Sequence, residues 1–122
     1  MFDWAEYLDV ADDLIVLVGG EGGERSAISR AYYACYGKAS AYAKSKRVPL
    51  TGRGSDHHVV WQWFIDGLGR GPIHVSVGQN GQRLKGWRIK ADYRAGFSNT
   101  GPISQNAIAV ARQLLDDLST LP

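Results

Sequence analysis

The segment RSAISRAYYACYGKASAY, residues 25–42, limits the possible folds more than any other. It is helical in period and almost free of Gly and Pro. One face carries Ile28, Ala31, Tyr32, Cys35, Ala39 and Tyr42, and the other carries Ser26, Ser29, Arg30, Tyr33, Gly37 and Ser40. An ordinary surface helix needs a single apolar stripe. A helix with two faces to bury is central to its domain or lies against a second molecule.

The rest of the chain supplies helices to surround it. Residues 3–18, DWAEYLDVADDLIVLV, read as a first helix, with Asp3 and Glu6 as a capping box and Trp4, Leu8, Ala11, Ile15 and Val18 at helical spacing. GGEGG at 19–23 predicts a sharp break, so the second helix is expected from about Glu24 to Lys46. Pro49 and TGRGSD make a loop, and Ser55 or Asp56 caps a third helix that runs through Gly67 on Val59, Val60, Trp63 and Phe64. IHVSV alternates like a strand but has no partner strand, so residues 67–81 read as an extended connection.

A fourth helix is expected over roughly 81–96, with Leu84, Trp87, Ala91 and Ala95 on one stripe and Lys85, Arg88 and Asp92 on another. Pro102 fits the first turn of a fifth, which runs to about Ser119 on Ile103, Ala107, Val110, Leu114 and Leu118. The expectation is one all-α domain over residues 1–122, an antiparallel bundle of four to five helices. Gly37 and Gly86 fall inside helices, where glycine costs about 1 kcal/mol against alanine. They mark close approaches of another helix or tolerated positions. Trp61 and Trp63 lie about 200° apart on a helix, which predicts that one of them meets a partner.

Composition narrows the function. At 122 residues, 44% hydrophobic and 21% charged, the chain has the make-up of a globular domain with a real core. A net charge of +2 with no basic run longer than KSKR at 44–47 does not mark a dedicated duplex binder. A lone cysteine, Cys35, excludes an internal disulfide and reads as a small buried hydrophobe. MFDWAEYLD lacks the pattern of a signal peptide and no apolar run approaches a membrane span, so a cytoplasmic protein is expected. No feature points to a metal or an organic cofactor.

Two segments stand out together, RSAISRAYYACYGKA and LKGWRIKADY. The pattern Arg-Ser-Ala-x-x-Arg-Ala-Tyr-Tyr-Ala at Arg25–Ala34, an approximate His-x-Val at His58–Val60, and Arg-x-Lys-Ala-Asp-Tyr at Arg88–Tyr93 resembles the HEPN family of prokaryotic all-α domains. The resemblance covers Trp4 to Leu118. It implies a helical bundle that dimerises, with the polar side of the central helices lining a cleft near a two-fold axis. It further implies a role in a toxin–antitoxin or phage-defence system, on RNA or nucleotides.

In that cleft the resemblance places Arg30 and Arg88, whose planar guanidinium groups suit a phosphate or carboxylate, with Tyr33 and Tyr93 as further nucleotide-binding candidates. Many members are metal-independent ribonucleases in which about four to six residues separate an Arg from a following His. Neither helix here supplies that His. The bare spacing recurs only as Arg53 with His58 in a loop, so Arg88 and His58 are the catalytic candidates. Asp92 pairs either with Arg88, four residues earlier, or with Arg30 across the bundle as a structural pair. Two functions remain open: a ribonuclease-like effector, and a non-catalytic module that binds RNA, a nucleotide or a partner protein such as a nucleotidyltransferase.

Overall fold

The computed structural model describes residues 1–67 and 70–122. Five α-helices make the domain: α1 (Glu6–Asp13), α2 (Gly20–Ser45), α3 (Asp56–Ile65), α4 (Pro72–Tyr93) and α5 (Thr100–Ser119). A π-helical turn, Leu14–Val18, extends α1. Among the described residues there is no strand.

Helix α2 is the central element and packs against every other helix. Ala27, Ile28, Ala31, Tyr32, Ala34, Cys35, Ala39 and Ala43 are all fully buried. The run of alanines lets neighbouring backbones approach, as where the Cys35 thiol donates to the Ala111 carbonyl of α5 at 3.6 Å. The second face is only partly buried: Ser29 is 6% exposed and a Cβ at Gly37 would lie 2.2 Å from Trp4 Cγ, whereas Arg30, Tyr33 and Ser40 are half-buried and Ser26 is exposed. Gly37 therefore marks a close approach, by an indole ring. Gly86 does not, because nothing lies within 4 Å of its Cβ position.

The helices do not simply alternate in direction. Thr100 bonds Glu24, Cys35 bonds Ala111 and Lys46 bonds the Pro122 carbonyl, so α5 runs parallel to α2. Tyr36 stacks on His57 and Tyr42 on Phe64, so α3 is also parallel to α2. Helix α4 runs the other way, since Arg25 at the start of α2 meets Ala91 at the end of α4. The segment between α2 and α3 returns alongside α2 to make this possible.

Two expected boundaries move. The break at GGEGG is confined to Gly19 and Gly20, whose φ angles of 68° and 65° are left-handed, and α2 starts at Gly20 rather than Glu24. Gly23 lies inside the helix because a Cβ there would sit 2.7 Å from the Leu14 carbonyl oxygen. The larger correction is residues 67–81. Leu68 and Gly69 lie outside the described residues, but from Pro72 onward the segment is α4, not an extended connection. His74, Val77, Gly78, Gly81 and Leu84 form its buried stripe at helical spacing. The glycines there accommodate α3: a Cβ at Gly81 would stand 2.1 Å from the Trp61 ring.

The two tryptophans of α3 are both used within the chain. Trp61 is fully buried and donates its Nε1–H to the Tyr32 hydroxyl at 3.0 Å. Trp63 is half-buried beneath the Arg70 guanidinium, 4.5 Å above its ring, with His74 at 4.7 Å. Because α3 is held between α2 and α4, opposite sides of it meet protein, and neither Trp requires a second molecule.

His74, 1% exposed, joins these helices. Its Nδ1 donates to the Phe64 carbonyl at 2.9 Å and its Nε2 accepts from Arg70 at 3.2 Å, a pairing that only the neutral ring satisfies. Burial, with Arg70 nearby, holds its pKa below the ordinary value of 6.5.

Candidate functional site

The cationic candidates gather around Tyr33. The Arg30 guanidinium lies 5.4 Å from the Tyr33 ring centre and 4.7 Å from that of Tyr7. The Arg88 guanidinium, arriving from α4, lies 5.0 Å from the Tyr33 ring and 5.5 Å from that of Tyr93. Cation–π attraction orients both groups. It leaves their N–H edges less committed than a carboxylate fork would. Tyr93 is 72% exposed, so it flanks the site from solvent.

Asp92 pairs with Arg88, not with Arg30. Arg88 Nε lies 2.7 Å from Asp92 Oδ2, one helical turn apart. Its buried N–H is not aimed at that oxygen, so the contact is an ion pair without a good hydrogen bond. The α2 residue that reaches the same carboxylate is Ser29, whose hydroxyl donates at 3.3 Å. The expected Arg30–Asp92 pair is therefore absent: Ser29 holds the two helices in register, while the Arg30 guanidinium lies over Tyr7 and Tyr33. Among the described residues Arg30 has no carboxylate partner.

The histidine beside this cluster is His57. Helix α3 buries Val60, Trp61 and Phe64, and His57 lies on the same stripe, whereas His58 is exposed. The spacing 57, 60, 61, 64 was present in the sequence as i, i+3, i+4, i+7 and would have identified it. His57 stacks on Tyr36 with ring centres 3.8 Å apart and meets the edge of Tyr33 at 6.1 Å. Tyr32 Oη lies 2.5 Å from its Nδ1. That buried hydroxyl accepts from Trp61 and has, among the described residues, no other acceptor for its own proton than His57, so it donates to Nδ1. The chain Trp61–Tyr32–His57 thus assigns a neutral imidazole with its proton on Nε2.

Electrostatics agree with that assignment. Burial first, then the charges of Arg88 and Lys85, hold the His57 pKa below 6.5. Burial pushes the Tyr32 hydroxyl far above its ordinary range, so it remains an O–H donor. Burial likewise raises Cys35, which makes no reactive thiolate.

Arg25, the first residue of the Arg-Ser-Ala motif, has a structural task that the sequence did not reveal. Its guanidinium donates to the carbonyls of Ala91, Ala95 and Phe97 at 2.9, 3.2 and 3.0 Å, and its Nε pairs with Glu21. It closes the C-terminal end of α4, whose last carbonyls lack helical partners, and so fixes the turn that carries Arg88, Asp92 and Tyr93.

Arg53, the other half of the Arg53–His58 spacing, is exposed on a loop organised by Asp56. That carboxylate accepts from Thr51 N, Thr51 Oγ1 and Gly52 N at 2.7–2.8 Å, bonds that hold its pKa below the ordinary carboxylate value. The loop brings Arg53 to a cavity that His57, not His58, also lines. Among the described residues no group of three or more His, Cys, Asp or Glu side chains is placed to hold a metal ion, and no helix is long and apolar enough to cross a membrane.

No protein-family model, no curated protein and no solved structure matches this chain. The class that can be stated is a five-helix bundle with two arginines and a neutral histidine arranged around one tyrosine.

Proposed function

We propose that the protein is a HEPN-like domain that binds RNA or a nucleotide through its phosphate, acting as a dimer in a toxin–antitoxin or phage-defence setting. The observation that carries this reading is the convergence of Arg30 from α2 and Arg88 from α4 on the Tyr33 ring, with His57 at its edge. Lys85 adds positive charge nearby, and Asp92 is the carboxylate that answers it. Such a field favours an anion with several oxygens, and fixed guanidinium groups stabilise charge that develops on a phosphate. In the ribonuclease form of this reading, His57 takes the position that His58 was expected to fill.

One observation favours the non-catalytic alternative, an adaptor that binds RNA, a nucleotide or a partner protein. The Tyr32 proton occupies the Nδ1 lone pair of His57, and Nε2 carries a proton, so the ring has no free base to offer a ribose hydroxyl. As it stands His57 is a hydrogen-bond donor. A surface for a second copy or another partner is offered by Val16, Leu17 and Val18, which are 79%, 78% and 67% exposed.

The test is incubation of the purified protein with total RNA, with and without chelator, alongside Arg88→Ala, His57→Ala and His58→Ala, with RNA binding followed by fluorescence anisotropy. Chelator-resistant cleavage lost in Arg88→Ala and His57→Ala, but kept in His58→Ala, supports the ribonuclease. Binding without cleavage, lost in Arg88→Ala, supports the adaptor. A folded protein that does neither refutes a nucleic-acid role.

A further inference from the structure

On the other side of His57 lies a cavity of about 470 Å³, separate from the two-arginine cluster and sharing only this histidine with it. Trp4, Tyr36 and His57 supply its aromatic surface, Lys44 and Arg53 its positive charge, and Asp56 a carboxylate. The volume falls within the range of about 300–1,000 Å³ common to small-molecule sites.

Three features show that this cavity is built rather than incidental. The Trp4 indole lies against α2 only because position 37 is glycine, where a Cβ would be 2.2 Å from the ring. The Tyr36–His57 stack also lines it, its rings nearly parallel at 5° and the His57 ring held by the Tyr32 hydroxyl. The loop bearing Arg53 is set by three hydrogen bonds to Asp56 and by Gly52 at φ +78°. Those bonds occupy the Asp56 carboxylate. Among the described residues neither Lys44 nor Arg53 has an acidic partner.

We infer that this cavity is a nucleotide site, with the base against Trp4 and Tyr36 and the phosphate held by Lys44 and Arg53. Aromatic surface suits any nucleobase, because every base has a π-face. Two cations without an acidic partner suit the phosphate joined to it. The same chemistry is offered by a free nucleotide and by one nucleotide of an RNA strand. The inference does not rest on the two-arginine cluster, since its contacts are made by other side chains.

Isothermal titration calorimetry of the full chain with AMP, adenosine, inorganic phosphate and a 5′-phosphorylated tetra-adenylate RNA tests it. The variants are Lys44→Ala with Arg53→Ala combined, Trp4→Leu, Arg88→Ala to report on the two-arginine cluster, and one control, Arg94→Ala, each checked for helicity by circular dichroism. AMP is expected to bind at least about tenfold more tightly than adenosine or phosphate alone. The combined cation variant, at exposed positions outside the core, is expected to lose at least about tenfold, and Arg94→Ala to leave AMP binding unchanged. If the RNA binds while AMP does not, and the cation variant abolishes it, the site takes its nucleotide from a strand. No saturable binding of either, or binding that the cation variant leaves intact, overturns the proposal. Loss in Arg88→Ala alone would instead place any RNA contact at the two-arginine cluster.

Discussion

Tyr32 and His57 are 25 residues apart and share one hydrogen bond of 2.5 Å, in which the buried hydroxyl donates to the ring. The tyrosine, fully buried on α2, donates to the histidine because, among the described residues, its O–H meets no other acceptor there. A core contact thereby decides what a surface-facing imidazole can do chemically.

Replacing Tyr32 by Phe keeps the ring and removes both bonds. The buried Trp61 N–H then has no acceptor, which costs about 1–3 kcal/mol. The His57 neutral form loses the donor that favours it, so its pKa moves up. Urea unfolding measures the first effect and NMR titration of His57 the second. An unchanged His57 pKa would mean that burial alone governs the ring.

Acid should weaken the fold in a window set by the histidines. His57 and His74 both have folded pKa values below 6.5, so the unfolded chain binds their protons first. Their contribution is complete above about pH 6.5 and is lost as pH falls below it towards the folded values. Urea midpoints measured between pH 7.5 and pH 5 should decline. His74→Gln, which retains a donor and an acceptor, should flatten the decline.

Arg25→Ala removes the guanidinium that closes α4. Several charge-assisted bonds to carbonyls disappear together, and the loss is about 2–4 kcal/mol. Arg25→Lys recovers only part of it, because an ammonium cannot span carbonyls from Ala91 to Phe97 as the planar fork does. Thermal unfolding followed by circular dichroism ranks the three proteins.

Two glycines of α4 give opposite outcomes on substitution by alanine. At Gly81 the new methyl would stand 2.1 Å from the Trp61 ring, so α3 must move away, at a cost of about 1–3 kcal/mol. At Gly86 the methyl meets open space, and the better helix former adds up to about 1 kcal/mol. Unfolding midpoints of the two variants should lie on either side of the parent.

Periodicity made the helical class legible, because burying a stripe is a local, repetitive demand. The two-faced stretch at 25–42 marked the central helix, and Pro102 and the Leu114–Leu118 spacing placed α5. The run PIHVSVGQNG was misread because its glycines resemble a loop and its first residues alternate. Those glycines are where α3 lies, and only the packing of Trp61 explains them. At the site, Arg30, Arg88, Tyr33 and Tyr93 do come together, while the histidine beside them is His57 and not His58, because it is the one of two adjacent residues that turns inward.

What the sequence by itself determined is therefore the number and kind of elements and the set of side chains able to hold an anion. Both follow from spacing along one helix. Which partners those side chains take is a matter of distance between helices: Asp92 with Arg88 and Ser29 instead of Arg30, Tyr32 with His57, Arg25 with the end of α4. Such pairings depend on helix direction and on close approaches permitted by Gly37, Gly78 and Gly81. No local pattern encodes them, because they arise only when the whole bundle has packed.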